Sequence, residues 1–273
     1  LVASVLNIGL DPLLIFGIGF FPKMGIRGAA LATVLSQYVS GIGIVLYTLL
    51  KYKEVLVIFK ISYLKRERIK QIISFSLLTC IQQSVMNLGI LMVQGLVNSF
   101  GTVVMAAFAA AVKIDAFAYM PVQDFGNAFS TFVAQNYGAG NQERIRKGTR
   151  VAFAMSIGFS VMISVLVCLF AGPLMKIFVS GKEVAVIAAG VKYLRIEGAF
   201  YLGIGCLFLL YGYYRAIKRA EMSVVLTVIS LGLRVLLAYV LSVVFGEVGI
   251  WVAIPIGWVM ADVTGIVYMR RTW

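Results

Sequence analysis

Eight long apolar segments, at residues 1–20, 28–50, 71–98, 102–137, 150–172, 184–213, 222–245 and 249–269, follow one another along the chain with short polar breaks between them. A helix rises about 1.5 Å per residue and a bilayer core is about 30 Å thick, so a span needs about twenty such residues. Lipid offers backbone groups no hydrogen-bond partner, and helices satisfy their own. The expectation is therefore an all-α polytopic membrane protein. The first segment opens at Leu1 with no methionine and no basic leader, which predicts a span continuing from upstream sequence rather than a signal peptide.

Composition agrees. Hydrophobic residues make up 61% of the chain and charged ones 13%, against about 45–50% and about 25% in soluble domains. The net charge of +13 (24 Lys and Arg against 11 Asp and Glu) would suggest nucleic acid in a soluble protein. Here the basic residues gather in the breaks: seven in residues 51–70, four just after Asn141, three in "RAIKRAE" and two in the tail "MRRTW". The intervening breaks are poorer, so these breaks and the C-terminus are expected on the cytoplasmic side, with no nucleic-acid partner. Lys182, Lys192 and Arg195 depart from that pattern.

Several chemistries are excluded. Histidine is absent, which removes His-based triads, His metal sites and imidazole switches. Cys80, Cys168 and Cys206 each lie inside an apolar segment at spacings that define no disulfide framework or zinc motif. No cofactor is expected, and no paired-acid or metal spacing points to an enzyme.

An internal repeat organises the segments. "GIRGAALATVLSQ" from Gly25 aligns with "GEVGIWVAIPIGW" from Gly246: Gly25 and Gly28 match Gly246 and Gly249, and Ala32 matches Ala253. Each copy opens an apolar segment that follows another. Taken as a repeat, the second and last segments close two equivalent halves.

"NIGLDPLLIFG" followed by "GIRGAALATVLSQ", the stretch "FGTVVMAAFAAAVKIDAFAYMPVQDFGNAFSTFVAQNYGAGNQERIRKG", then "YGYYRA" and "GIWVAIPIGW" resemble, in order and over nearly the whole chain, the multidrug and toxic compound extrusion (MATE) family. The resemblance implies a two-lobe bundle of twelve helices, of which this chain supplies the last eight. On it, residues 1–50 are the last two helices of the first lobe, 51–70 a basic linker between lobes, and 71–273 the complete second six-helix lobe. The partner of that lobe would be the N-terminal lobe of the same longer chain. The implied function is export of cationic drugs or other toxic organic compounds across the cell membrane, in exchange for sodium or protons. A lipid-linked precursor flippase of related architecture is the alternative, and it should line its cavity with several basic residues for pyrophosphate.

Ionisable groups at membrane depth cost several kcal/mol by insertion scales and mark candidate sites. The segment from Gly101 to Tyr137 holds Lys113, Asp115, Pro121 and Asp124. A bend at Pro121 is expected to free carbonyls toward a cavity. Lys113 and Asp115, two apart, face different sides, and Asp115 either lines the cavity or locks helix packing. Gln83, Asn87 and Gln94 share one helical face, placed to bind a drug or cation or to join helices. Where some family members carry a glutamate on this helix, the resemblance places Met86.

Glu197 is the foremost candidate for the coupling ion, with a sodium site near it one option. Where some relatives carry an aspartate on the same helix this chain has Ile204, and seven residues return to nearly the same face. The competing reading pairs Glu197 with Lys192 or Arg195 at the interface. Asp11, directly before Pro12, is expected to end or kink its helix, and Arg234 falls near the place of Asp11 in the repeat. Both read as packing positions, and Asp262 lies mid-segment without an evident partner.

Overall fold

The computed structural model describes residues 2–19, 21–52 and 66–272, so most of the basic stretch 51–70 lies outside the described residues. Among these residues the secondary structure is helical without strands. The helices are α1 (Val2–Phe16), α2 (Ile26–Lys51), α3 (Arg66–Asn98), α4 (Thr102–Gly138), α5 (Gln142–Phe178), α6 (Val184–Gly198), α7 (Tyr201–Ala216), α8 (Ala220–Phe245) and α9 (Glu247–Thr272). They group into two compact units, Leu1–Gln71 and Ile72–Trp273. In α2, α4, α5, α8, α9 and α3 from Ile72 onward, length and hydropathy suffice to cross a bilayer.

The first unit is a hairpin. Met24 and Gly25 donate their backbone N–H groups to the carbonyls of Leu14 and Ile15, which folds the start of α2 against the end of α1. The expected break at Asp11 does not occur. α1 continues through Pro12 to Phe16; the ring removes one intrahelical donor, the one that would reach the Ile8 carbonyl, and the helix runs only one further turn beyond it.

The second unit packs around α7, whose residues are buried on nearly every side. Such a helix needs no polar face, and α7 accordingly carries apolar and aromatic residues all round. The segment 184–213, expected as one span, is two helices: α6 and α7 meet at an angle of 51°, with Ala199 and Phe200 between them. α4, by contrast, is one uninterrupted helix that includes Pro121. The cost of losing one N–H donor there is met without a break. α5 starts eight residues before its apolar segment, because the Asn141 carboxamide caps it by accepting the Arg144 backbone N–H at 3.0 Å.

Candidate functional site

α6 and the start of α7 set the site. Tyr193 and Glu197, four apart on α6, share one side of that helix, and the turn into α7 brings Tyr201 to the same place. The Phe200 backbone N–H donates to the Glu197 carbonyl at 2.9 Å and tightens that turn. Tyr193 is held by rings on two sides: edge-on to Trp251 of α9 at 4.8 Å and edge-on to Phe108 of α4 at 5.5 Å, those two being stacked at 5.4 Å. Its hydroxyl is thereby aimed at α4.

The target is Asp115. Tyr193 donates to Asp115 Oδ2 at 2.7 Å, and the Tyr201 hydroxyl donates to Oδ1. Asp115 is 4% exposed and Glu197 6%. Glu197 Oε2 has no hydrogen-bond partner. Two carboxylates from two helices thus meet around the Tyr193 hydroxyl inside the bundle. From α8, Arg234 is the cation whose field reaches both acids, and its Nε is likewise without a partner.

These groups border a cavity of about 280 Å³ that lies wholly within the second unit. Its wall is aromatic, with Tyr119, Phe208, Tyr211 and Trp258 prominent, and Met86 and Ile204 also contribute to it. A buried carboxylate pair is costly unless compensated, and the tyrosine hydroxyls satisfy one acid far better than the other. A cation entering beside Glu197 would compensate the second, and the ring faces suit an organic cation. Among the described residues no three His, Cys, Asp or Glu side chains converge, so an inorganic cation would have to complete its shell with hydroxyls, carbonyls or water.

The structure brings together three of the residues singled out from sequence, Asp115, Glu197 and Gln94, on the cavity wall. Lys113 and Asp124 stand elsewhere, exposed on the outside of α4. Steps of two and nine residues from Asp115 turn the helix by about 200° and about 180°, so an inward Asp115 turns both outward. Gln83 and Asn87 are exposed as well, and Gln94, at the edge of their face, donates to Asn98 at 3.0 Å. The face of α3 on the cavity is the adjacent one with Met86, Ile90 and Gln94. Buried Gln82 instead fixes α3 to α8 by donating to Thr227 at 3.0 Å.

The interfacial ion pair for Glu197 is overturned: Lys192 reaches Glu247 at 3.2 Å, Arg195 is exposed, and Glu197 is buried. Arg234, expected as a packing residue, borders the cavity. Asp262 is buried outside it, with Oδ1 unpartnered. Tyr193 and Tyr201 were not legible as site residues, and their four-residue spacing around Glu197 was the available signal.

Residues 76–240 match the MatE family. The chain is 29% identical over 254 residues to a probable multidrug resistance protein NorM of Thermotoga maritima, covering 92% of this chain and 54% of that protein. It is 30% identical over 272 residues to the probable multidrug resistance protein YpnP of Bacillus subtilis, covering 98% of this chain and 59% of that one. It therefore spans less than two thirds of the relatives it matches. The fold is that of the crystal structure of MATE in complex with MaL6, with a TM-score of 0.89 at 24% identity over 99% of this chain and 61% of that one. With the match covering more than half of its residues, the chain belongs to the MatE family.

Proposed function

We propose that the full-length protein is a secondary active transporter of the cell membrane that exports organic cations in exchange for protons or sodium, with Asp115 and Glu197 as the acids that bind the coupling ion. The observation that carries this reading is the pair of buried carboxylates around one tyrosine hydroxyl, beside an aromatic cavity within the second unit. In the empty state Arg234 balances part of the negative charge. A cation at Glu197 displaces that balance, and it drives transport only through its different affinity for the inward-open and outward-open forms. The basic breaks and the C-terminal Arg270 and Arg271 face the cytoplasm in this scheme.

The same cavity disfavours a carrier of pyrophosphate-linked lipids. Arg234 stands there against two acids, while Lys113 is on the outside. The test is efflux of a fluorescent organic cation by the full-length protein in vesicles with an imposed proton or sodium gradient. Glu197→Gln is expected to abolish gradient-driven efflux while the protein still folds and inserts. Unchanged coupling in that variant removes Glu197 from the mechanism.

A further inference from the structure

Ten residues and more beyond Asp115 along α4, the end of α4 and the start of α5 border a cleft of about 700 Å³. Phe125, Phe129 and Phe132 of α4 and Met155 of α5 line it, and Arg144 and Lys147 stand at its rim with the acid Glu143 between the basic groups and Asn141. A second cleft of about 220 Å³ shares Phe125 and Met155 and carries the groove on to Pro121 and Phe159. Residues 151–175 of α5 contain no charge, so the membrane boundary falls near Arg150. From Arg150 to Phe159 the groove descends about 14 Å, the thickness of about one leaflet of the hydrocarbon core.

The other end of the same helix pair provides a control within the molecule. There a cleft of about 490 Å³ is lined by Phe117, Leu166, Phe170 and other apolar residues, with no charged side chain among those described. Both ends therefore offer an apolar furrow to lipid, and one adds a basic rim. Along α5, Arg144, Arg146, Lys147 and Arg150 oppose the single acid Glu143, which pairs with Lys147 at 2.7 Å. Arg144 lies over the Phe132 ring at 5.9 Å, at the point where the groove meets the surface. Guanidinium and ammonium groups at that depth fit a phosphodiester.

We propose that this groove holds one anionic phospholipid, its phosphate between Arg144 and Lys147 and an acyl chain against Phe125, Phe129 and Met155. The site is independent of the transport reading. Gly148 belongs to it: a side chain there would meet the Phe132 ring, so glycine lets that ring pack down as part of the wall.

The experiment is native mass spectrometry of the full-length protein equilibrated in micelles with equal amounts of phosphatidylglycerol and phosphatidylcholine. The wild type is expected to retain phosphatidylglycerol preferentially. Arg144→Gln with Lys147→Gln should lower that preference at least about tenfold, with Arg146 and Arg150 left to preserve topology. Val151→Trp, at a 58% exposed cleft position, should displace both lipids. Arg270→Gln with Arg271→Gln should leave the preference intact, and millimolar glycerol phosphate should not compete. An unchanged preference in the rim variant, equal loss in the Arg270 and Arg271 variant, retention in Val151→Trp, or competition by glycerol phosphate would each overturn the proposal.

Discussion

The α1–α2 and α8–α9 hairpins share a corner and differ in the polar groups they carry. Gly25 sits at φ 56°, ψ −129° and Gly246 at φ 61°, ψ −141°. A side chain at Gly28 would strike the carbonyl of Leu14, and one at Gly249 the carbonyl of Leu241. Ala32 and Ala253 are both completely buried. Next to Gly249, Ile250 and Trp251 of α9 are buried in the core of the second unit. The polar groups of the two hairpins differ. The first hairpin holds Asn7, which donates to Asp11 and Thr33 at 3.4 Å each; the second holds Arg234, with an unpartnered Nε beside the cavity. The repeat thus specifies backbone geometry and leaves the charge at the pocket free to vary.

The largest effect that tests the shared corner is expected at the close-contact glycines. Gly249→Ala drives a methyl group into a backbone carbonyl next to fully buried neighbours, at a cost of about 3 kcal/mol, the upper range for overpacking. Gly28→Ala meets the same obstacle in the carbonyl of Leu14, and a loss of the same size is expected. Thermal unfolding midpoints of the full-length protein in detergent measure both. Unequal losses would mean that the packing behind the corner, rather than the corner itself, sets the cost.

A smaller effect, equal in the two hairpins, is expected at the turn glycines. Gly25→Ala and Gly246→Ala each force a Cβ into a conformation that L-residues avoid, costing about 1–2 kcal/mol. Because that strain is local, the two midpoints should fall together. A large difference between them would break the equivalence of the corners.

How far the sequence disclosed this structure differs between scaffold and site for a physical reason. Span length and the glycine pairs are properties of a local stretch, so the apolar segments of α2, α3, α4, α5, α8 and α9 and the paired hairpins were legible. The turn between α6 and α7 was not: Gly198, Ala199 and Phe200 carry no proline, while Pro121, where a bend is expected, lies within the continuous α4. At the site, spacing alone told that Lys113 and Asp115 face different sides of the helix, while Asp124 was grouped with Asp115 although nine residues also turn it to the opposite side. Which of them faces inward depends on Tyr193 and Tyr201, contributed from residues about eighty positions away. Tyrosine is an ordinary membrane residue, so its role appears only once α4 and α6 are packed together.

The smallest effect tests the difference in charge. Replacing Arg234 with glutamine removes the cation that balances Asp115 and Glu197 in the empty cavity. A cation bound near those acids should gain about 1 kcal/mol, roughly a fivefold lower Kd, at the effective dielectric of a partly buried site. Asp11→Asn changes a charge at the corresponding place in the first hairpin, where the carboxylate already accepts from Asn7, and should leave that Kd unchanged. Both are read by titrating the full-length protein with a fluorescent organic cation in detergent, without an ion gradient, so that affinity is measured apart from transport. A tighter Kd in Arg234→Gln alone assigns the electrostatic role to the second hairpin. The same shift in Asp11→Asn, of either sign, would show that the first hairpin's charge also acts on the bound cation and that the two corners share their chemistry as well as their backbone.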